Sequence, residues 1–117
     1  MRHNKQGKKL GRTRDPRNAL LRSLATNFVL AGGKIKTTEI KAKAVKPIIE
    51  KFITVSKVNS LVARRKLLEY FYQEKAVEKL LSEIGPKYKD RNGGYTRIIH
   101  IGARRGDNAE EVILELV

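Results

Sequence analysis

The spacing of apolar residues changes once along this chain, at Pro86, and this change constrains the fold more than any other feature. Before Pro86, apolar residues recur every three or four positions, which is typical of amphipathic helices. After it, "YTRIIHI" and "EVILELV" are β-branched runs joined by "GARRGDNAE", in which Gly106-Asp107-Asn108 is a turn signal. We therefore expect helices first and a β-hairpin at the C-terminal end.

Four segments before Pro86 have the caps and spacing of helices. The first begins at Asp15-Pro16, because Asp is a favoured N-cap and Pro fits the first helical position, and it ends at Gly32-Gly33. The second follows Thr38, the third follows Ser60, and the fourth is closed by Gly85-Pro86. The predicted core residues are Leu21, Leu24, Ala25 and Phe28 in the first helix, Ile40, Ala44, Ile48 and Phe52 beside Val45, Ile49 and Ile53 in the second, and Val77, Leu80, Leu81 and Ile84 in the fourth.

Pro47 lies inside the second predicted helix, where it removes one backbone hydrogen bond at a cost of about 3 kcal/mol. We expect a bend or a break between Val45 and Pro47. The short run "KIKTT" around Ile35 is a possible third strand. The predicted fold class is α+β, with about four helices packed on one face of a small antiparallel sheet. Residues 15–117 would form a single globular domain, preceded by a basic arm of residues 1–14.

The chain carries 26 Lys and Arg against 12 Asp and Glu, a net charge of +14 over 117 residues. Residues 1–22 have eight basic side chains and one acidic, and residues 87–106 have six basic and one acidic, whereas residues 107–117 have four acidic and none basic. Such charge repels itself unless a polyanion neutralises it, and a nucleic acid is the favoured partner. An anionic membrane surface is the alternative, but no basic amphipathic helix with large apolar anchors is left for a bilayer.

No constellation of catalytic residues is present, so we do not expect an enzyme. The chain has no cysteine and two histidines, which argues against disulfides, a thiolate zinc site or any other metal site. The N-terminal "MRHNKQGKKLGRTR" lacks the apolar stretch of a signal peptide, and no segment is apolar enough to span a bilayer. We expect no cofactor, no small-molecule substrate and no membrane partner.

Several side chains could contact a nucleic acid, and each has a structural alternative. Arg104-Arg105 lie at the tip of the predicted hairpin, where a guanidinium can bind phosphate in a bidentate manner. Arg64-Arg65-Lys66 are either a contact or an ordinary solvated face. His100 is interpreted as a sheet residue rather than a ligand, and His3 as a contact to a base or phosphate.

The stretch "RNGGYTRI" also contains residues that could either contact a nucleic acid or have a structural role. Gly93-Gly94 would supply positive-φ freedom where the chain enters the sheet. Arg91 and Arg97 flank Tyr95, whose ring is either a core residue or a platform on which a base stacks.

The sequence resembles the L-seventeen family of bacterial large-subunit ribosomal proteins from end to end. The matching pieces are "MRH.K.G..L.R", "KTT" followed by "AKA", "ARR", "GP", "GGYTRI", "GDNA" and the C-terminal "ELV", in this order. The chain departs from the family where Arg14-Asp15-Pro16-Arg17 replaces the usual Ser-Ser-His-Arg. Asp can take the place of Ser as the helix cap.

The resemblance implies a structural constituent of the large ribosomal subunit, acting in translation in the cytoplasm. It would bind and stabilise large-subunit ribosomal RNA near the peptide exit tunnel and contact neighbouring ribosomal proteins. The alternative function from another class is a DNA-binding or nucleoid-associated protein, which would need a recognition helix with exposed base-reading side chains. Together with the charge pattern, the resemblance gives the predicted RNA-contact residues Arg2, His3, Lys5, Lys8, Lys9, Arg12, Arg14, Arg17, Arg22, Lys36, Arg64, Arg65, Arg91, Tyr95, Arg97, Arg104 and Arg105.

Overall fold

The computed structural model describes residues 14–71 and 73–117. Its elements are α1 (Arg14–Leu30), β1 (Lys34–Thr38), α2 (Glu39–Ser56), α3 (Leu61–Tyr70), α4 (Glu74–Lys79), α5 (Gly85–Lys87), β2 (Thr96–Ala103) and β3 (Glu110–Leu116). A π-helical turn, Leu80–Ile84, joins α4 to α5, so these two helices form one continuous helical segment. Four helical segments therefore pack with a small antiparallel sheet, and the predicted α+β class is confirmed.

The sheet has three strands in the order β1-β3-β2, and both pairings are antiparallel. Leu114 of β3 lies opposite Ile35 on one side and Ile98 on the other, and these side chains face the helices. Both the C-terminal hairpin and the third strand near Ile35 are thus confirmed. The core lies between this face and the helices, and its largest fully buried side chains include Phe28, Ile49, Ile53, Leu67, Leu80, Tyr95 and Leu114.

α1 begins two residues earlier than predicted, at Arg14 rather than Pro16, and ends where predicted. Because the helix starts at Arg14, Asp15 lies in its first turn rather than at the N-cap, where its carboxylate still faces the positive end of the helix dipole. Gly32 and Gly33 have φ of 85° and 94°, and the Gly33 amide donates to the Phe28 carbonyl at 2.9 Å. This left-handed ending closes the helix.

α2 runs without interruption through Pro47, so of the bend or break predicted between Val45 and Pro47 the break is excluded and the bend stays a prediction. Thr38 occupies the N-cap position, although its side chain makes no capping hydrogen bond. Val45, Ile49 and Ile53 are buried as predicted, whereas the neighbouring row lies at the edge of the core. Of that row, Ile40 is 59% exposed and Ala44, Ile48 and Phe52 are only partly buried.

α3 begins as predicted, with the Ser60 hydroxyl oxygen accepting a hydrogen bond from the Ala63 amide at 3.1 Å. The sequence suggested that the fourth helix ends at Gly85-Pro86, but the helix does not end there. Gly85 has a helical φ of −54°, and the segment continues to Lys87. All four predicted core residues of this segment are buried: Val77, Leu80, Leu81 and Ile84.

Candidate nucleic-acid interface

The predicted arm residues Arg2, His3, Lys5, Lys8, Lys9 and Arg12 lie outside the described residues. Arg14 is described only as the first residue of α1. The division between an arm of residues 1–14 and a domain of residues 15–117 therefore stays a prediction. Apart from Tyr95, which is buried, the remaining predicted residues fall on three regions: the helical face formed by α1, α2 and α3, the outer face of the sheet, and the loops at its two ends.

A groove of about 650 Å³ lies between α1, α2 and α3. Its apolar wall is formed by Leu21, Ile48, Phe52, Val55 and Tyr70, and its polar lining by Asn18, Arg22, Lys51, Lys66 and Glu69. Three of these five apolar residues come from α2, and two of them, Ile48 and Phe52, belong to its half-buried row. Ile48 and Phe52, which the helical period assigned to the core, therefore form part of the wall of an open groove.

Arg22 connects α1 to the C-terminal end of α3. Its Nε and one terminal nitrogen donate to the backbone carbonyls of Tyr70 and Glu69, each at 2.9 Å. The guanidinium carbon also lies 5.3 Å from the centre of the Tyr70 ring, which stacks on Phe52 at 4.6 Å. A cation at the carbonyl end of a helix is favourable, so this predicted RNA-contact residue also has a structural role.

Lys51 and Lys66 are exposed cations of the groove. From the sequence, Lys66 was considered only as part of the Arg64-Arg65-Lys66 triplet, and Lys51 was not singled out. Neither has an acidic partner among the described residues. Lys51 lies 5.9 Å from the centre of the Phe52 ring. Helical spacing could have placed Lys51 beside the Ile48–Phe52 row, but only tertiary structure brings Lys66 of α3 to the same groove.

Arg64 and Arg65 are adjacent in α3 but have different environments. Arg64 forms a bidentate ion pair with Glu78 of α4, and the hydrogen bond and charge of that carboxylate raise the pKa of Arg64. The same pair lowers the pKa of Glu78. Arg65 is exposed and has no acidic partner among the described residues, which leaves its guanidinium free for a phosphate.

On the outer face of the sheet, the predicted cations are paired with carboxylates of β3. Lys36 lies 3.8 Å from Glu111, and Arg97 Nε donates to Glu115 at 2.7 Å. Arg97 is directly opposite Glu115 in the strand register, so the pair is a cross-strand contact. The charge of this face is therefore largely balanced within the protein.

At the hairpin tip, as in α3, one of two adjacent arginines forms an ion pair and the other does not. Arg104 Nε donates to Asp107 at 3.1 Å, and a second bond joins the same two side chains. The bonds from Arg104, together with the Ala109 amide, lower the pKa of Asp107 to about 2. Arg105 is exposed without an acidic partner among the described residues.

The ring of Tyr95 is 1% exposed, so the core alternative is the one found and its inclusion among the RNA contacts was wrong. Its hydroxyl hydrogen-bonds to Thr54 Oγ1 at 3.0 Å and accepts from Lys57 Nζ at 3.2 Å. The hydrogen bond with Thr54 is the main cause of a lowered pKa at Tyr95. A ring enclosed in this way cannot stack on a base.

The segment before Tyr95 nevertheless presents a cation to solvent. Gly93 and Gly94 have φ of 79° and 61°, which confirms the predicted positive-φ entry to the sheet. Lys57 Nζ donates to the Arg91 carbonyl at 2.7 Å and fixes the backbone of this turn. The Arg91 side chain is exposed and has no acidic partner among the described residues.

The described residues show no group that could bind a metal ion. His100 is an exposed sheet residue whose Nε2 lies 3.9 Å from Glu39. Within the same ranges, no helix combines the length and the apolar character needed to cross a membrane. The fold and its surface define a small basic α+β protein with many exposed cations.

Comparison with known proteins agrees with this class. The family model described as ribosomal protein L17 matches residues 20–117. A protein of Clostridium botulinum (strain Hall) named large ribosomal subunit protein bL17 is 56% identical over 110 residues, which cover 94% of this chain and 96% of that protein. A protein of the same name from Thermoanaerobacter sp. (strain X514) is 56% identical over 94% of this chain and 97% of its own length.

The chain therefore belongs to the L17 family of bacterial large-subunit ribosomal proteins. Members of this family are structural, non-enzymatic components of the ribosome, and the place of action is the bacterial cytoplasm. The resemblance inferred from the sequence motifs is confirmed.

Proposed function

We propose that this protein binds and stabilises large-subunit ribosomal RNA near the peptide exit tunnel, beside neighbouring ribosomal proteins. The observation that carries the proposal is the unequal pairing of its cations. Six acidic side chains of the described residues form ion pairs with Lys36, Lys43, Lys46, Arg64, Arg97 and Arg104, whereas the cations without an acidic partner there include Arg17, Lys51, Arg65, Lys66, Arg91 and Arg105. Cations left unpaired in a chain of net charge +14 are available to phosphates.

The described contacts divide the surface by charge. The face of α1, α2 and α3 and the two loops carry the unpaired Arg17, Lys51, Arg65, Lys66, Arg91 and Arg105, and we assign these regions to RNA, whereas further unpaired lysines such as Lys34 and Lys75 are single charges elsewhere on the described surface. The outer sheet face carries ion pairs together with exposed Ile99 and Ile101, so it suits a protein neighbour better than a phosphate backbone. RNA shape and phosphates should dominate recognition over base identity.

The direct test is fractionation of the native protein on gradients at moderate salt. We expect it to sediment with the large subunit, and its absence from that fraction would contradict the proposal.

In a filter-binding assay, structured ribosomal RNA should compete far better than duplex DNA of equal length. Equal competition would favour the DNA-binding alternative instead.

The arm is tested separately by a variant that lacks residues 1–13, which keeps every residue of α1. The helical circular dichroism should be retained, because the variant keeps every core residue found in the described ranges. RNA binding should weaken, and its salt dependence should flatten by about 0.7 to 0.9 log units per log salt for each phosphate that the arm neutralises. An unchanged salt slope would show that the arm makes no phosphate contact.

A further inference from the structure

We propose that the groove between α1, α2 and α3 receives an unpaired nucleotide of the ribosomal RNA. The base would lie against the apolar wall formed by Ile48, Phe52 and Val55, and the phosphate between Lys51 and Lys66. This inference rests on the proposed function and makes it specific to one site. It concerns a single extruded base, whereas the general RNA-binding surface involves the phosphate backbone.

The shape and lining of the groove suit such an occupant. Its volume of about 650 Å³ falls within the range of roughly 300–1,000 Å³ that is usual for small-ligand sites. Ile48, Phe52 and Val55 are partly buried residues attached to the core, so the wall they form is supported from behind. The faces of a paired base are covered by its neighbours in the helix, and only an unpaired base can place a face on such a wall.

The groove also has aromatic and guanidinium groups of the kind on which bases stack. Phe52 and Tyr70 are stacked with an interplanar angle of 27°, and Phe71 packs edge-on against both rings at 5.4 Å. The Arg22 guanidinium continues this stack on the Tyr70 side. A planar arrangement that is held by the core is preorganised for another flat group.

The charges of the lining favour a nucleotide over an apolar protein segment. Arg22, Lys51 and Lys66 are basic, and Glu69 is the only acidic side chain that the described residues contribute to the lining of the groove. Lys51 and Lys66 come from different helices and have no acidic partner within the described ranges. An apolar peptide would leave both ammonium groups uncompensated, whereas a phosphate would neutralise them. The groove lies beside the first turns of α1, to which the basic arm is joined in sequence.

The occupant is identified by photo-crosslinking in intact large subunits that contain the full chain with p-benzoylphenylalanine in place of Val55. We expect a crosslink to a nucleotide of the ribosomal RNA, in a single-stranded or bulged position. A crosslink to another ribosomal protein, or back to this chain, would overturn the inference. The same replacement at Ile99, on the outer sheet face, is the matched control and should not give that nucleotide.

The energetic test uses a short single-stranded RNA and the same strand annealed to its complement. Phe52→Leu should weaken binding of the single strand about tenfold and change binding of the duplex by less than about twofold, because it removes a ring but keeps an apolar side chain. Circular dichroism checks that the variant folds. Equal effects on the two RNAs, or no effect on either, would overturn the inference.

A surface double variant gives an answer even if Phe52→Leu fails to fold. Lys51→Ala/Lys66→Ala should weaken binding of the single strand several-fold more than the control Lys34→Ala/Lys75→Ala, which removes the same charge from exposed lysines outside the regions assigned to RNA. Equal weakening by the two double variants would count against the groove. A wild-type chain that binds no ribosomal RNA would contradict the proposed function, whereas normal RNA binding with unaffected groove variants would contradict only this site.

Discussion

A Cβ atom at Gly85 would lie 2.3 Å from the carbonyl oxygen of Ser56, because the end of α2 packs directly on the helical segment that contains Gly85. Ser56 is itself 1% exposed and donates from its hydroxyl to the Ile53 carbonyl at 2.7 Å. The glycine is therefore required for close approach of two backbones, and not as a helix stop. This contact fixes α2 against the segment that leads into the sheet.

We predict that Gly85→Ala destabilises the fold by at least about 3 kcal/mol, since a methyl group would force two backbone segments apart. Urea unfolding monitored by circular dichroism measures the change. Gly93→Ala is the control, because its Cβ would meet no atom within 4 Å and only the φ of +79° opposes it. This control should cost about 1 kcal/mol, and equal costs would contradict the packing argument.

Helix ends and buried rows were predictable where the signal is local. The end of α1 at Gly32-Gly33 and the Ser60 cap depend on neighbouring residues, and both were found as predicted. The role of Gly85 was not predictable, because the atom that a side chain at this position would meet belongs to Ser56, which is distant in the sequence. The open row at Ile48 and Phe52 was missed for a related reason: a helical period shows which residues are apolar but not whether a further layer covers them.

The residues of the candidate site were also predictable only where the signal in the sequence is local. Charge clusters in the sequence identified Arg65 and Arg105, which the structure leaves without acidic partners among the described residues. The charge clusters could not distinguish Arg65 and Arg105 from Arg64. The acidic partner of Arg64, Glu78, is brought near it only by the packing of α3 on α4. Tyr95 was undecided for the same reason, since a strand pattern does not say which face of the sheet end is enclosed.

Glu50 should make stability depend on pH. Burial raises the pKa of this carboxyl, but the hydrogen bonds from the Thr96 side chain and amide, at 2.6 and 3.1 Å, and the Lys46 ammonium outweigh burial and bring the pKa below its ordinary value of 4.5. A depressed pKa in the folded state adds stability above the unfolded-state pKa, and this stability is lost as the pH falls through the folded-state value. Glu50→Gln should therefore destabilise by about 1–2 kcal/mol at pH 7 and by progressively less below about pH 4.5.

Urea unfolding of wild type and Glu50→Gln between pH 3 and pH 7 provides the measurement. Glu83→Gln is the control, because Glu83 is exposed and has no ion pair among the described residues. A difference between wild type and Glu50→Gln that stays constant over this range would show that the carboxylate charge is not what Thr96 binds.

Tyr95→Phe should destabilise the fold by about 1 kcal/mol and leave RNA affinity unchanged. The variant removes the hydroxyl that joins Thr54 and Lys57 but keeps the buried ring and its contact with Tyr88, whose ring centre is 5.3 Å away. Tyr95→Ala should cost about 3–5 kcal/mol, since it empties a fully buried site. A folded Tyr95→Ala protein with a selective loss of RNA binding would contradict the core assignment.

Arg64 and Arg65 form a matched pair for separating stability from RNA binding. Arg65→Ala should weaken binding to ribosomal RNA and reduce the salt slope by roughly 0.7 to 0.9 for one phosphate contact, with little change in unfolding. Arg64→Ala should lower the unfolding midpoint slightly, because Glu78 loses its partner, and should reduce the salt slope less. Filter binding over a range of KCl concentrations, with urea unfolding of the same samples, compares the two variants. Identical salt slopes for the two variants would mean that the ion pair with Glu78 does not withhold Arg64 from RNA, and that unpaired charge is not the property that marks the RNA-binding surface.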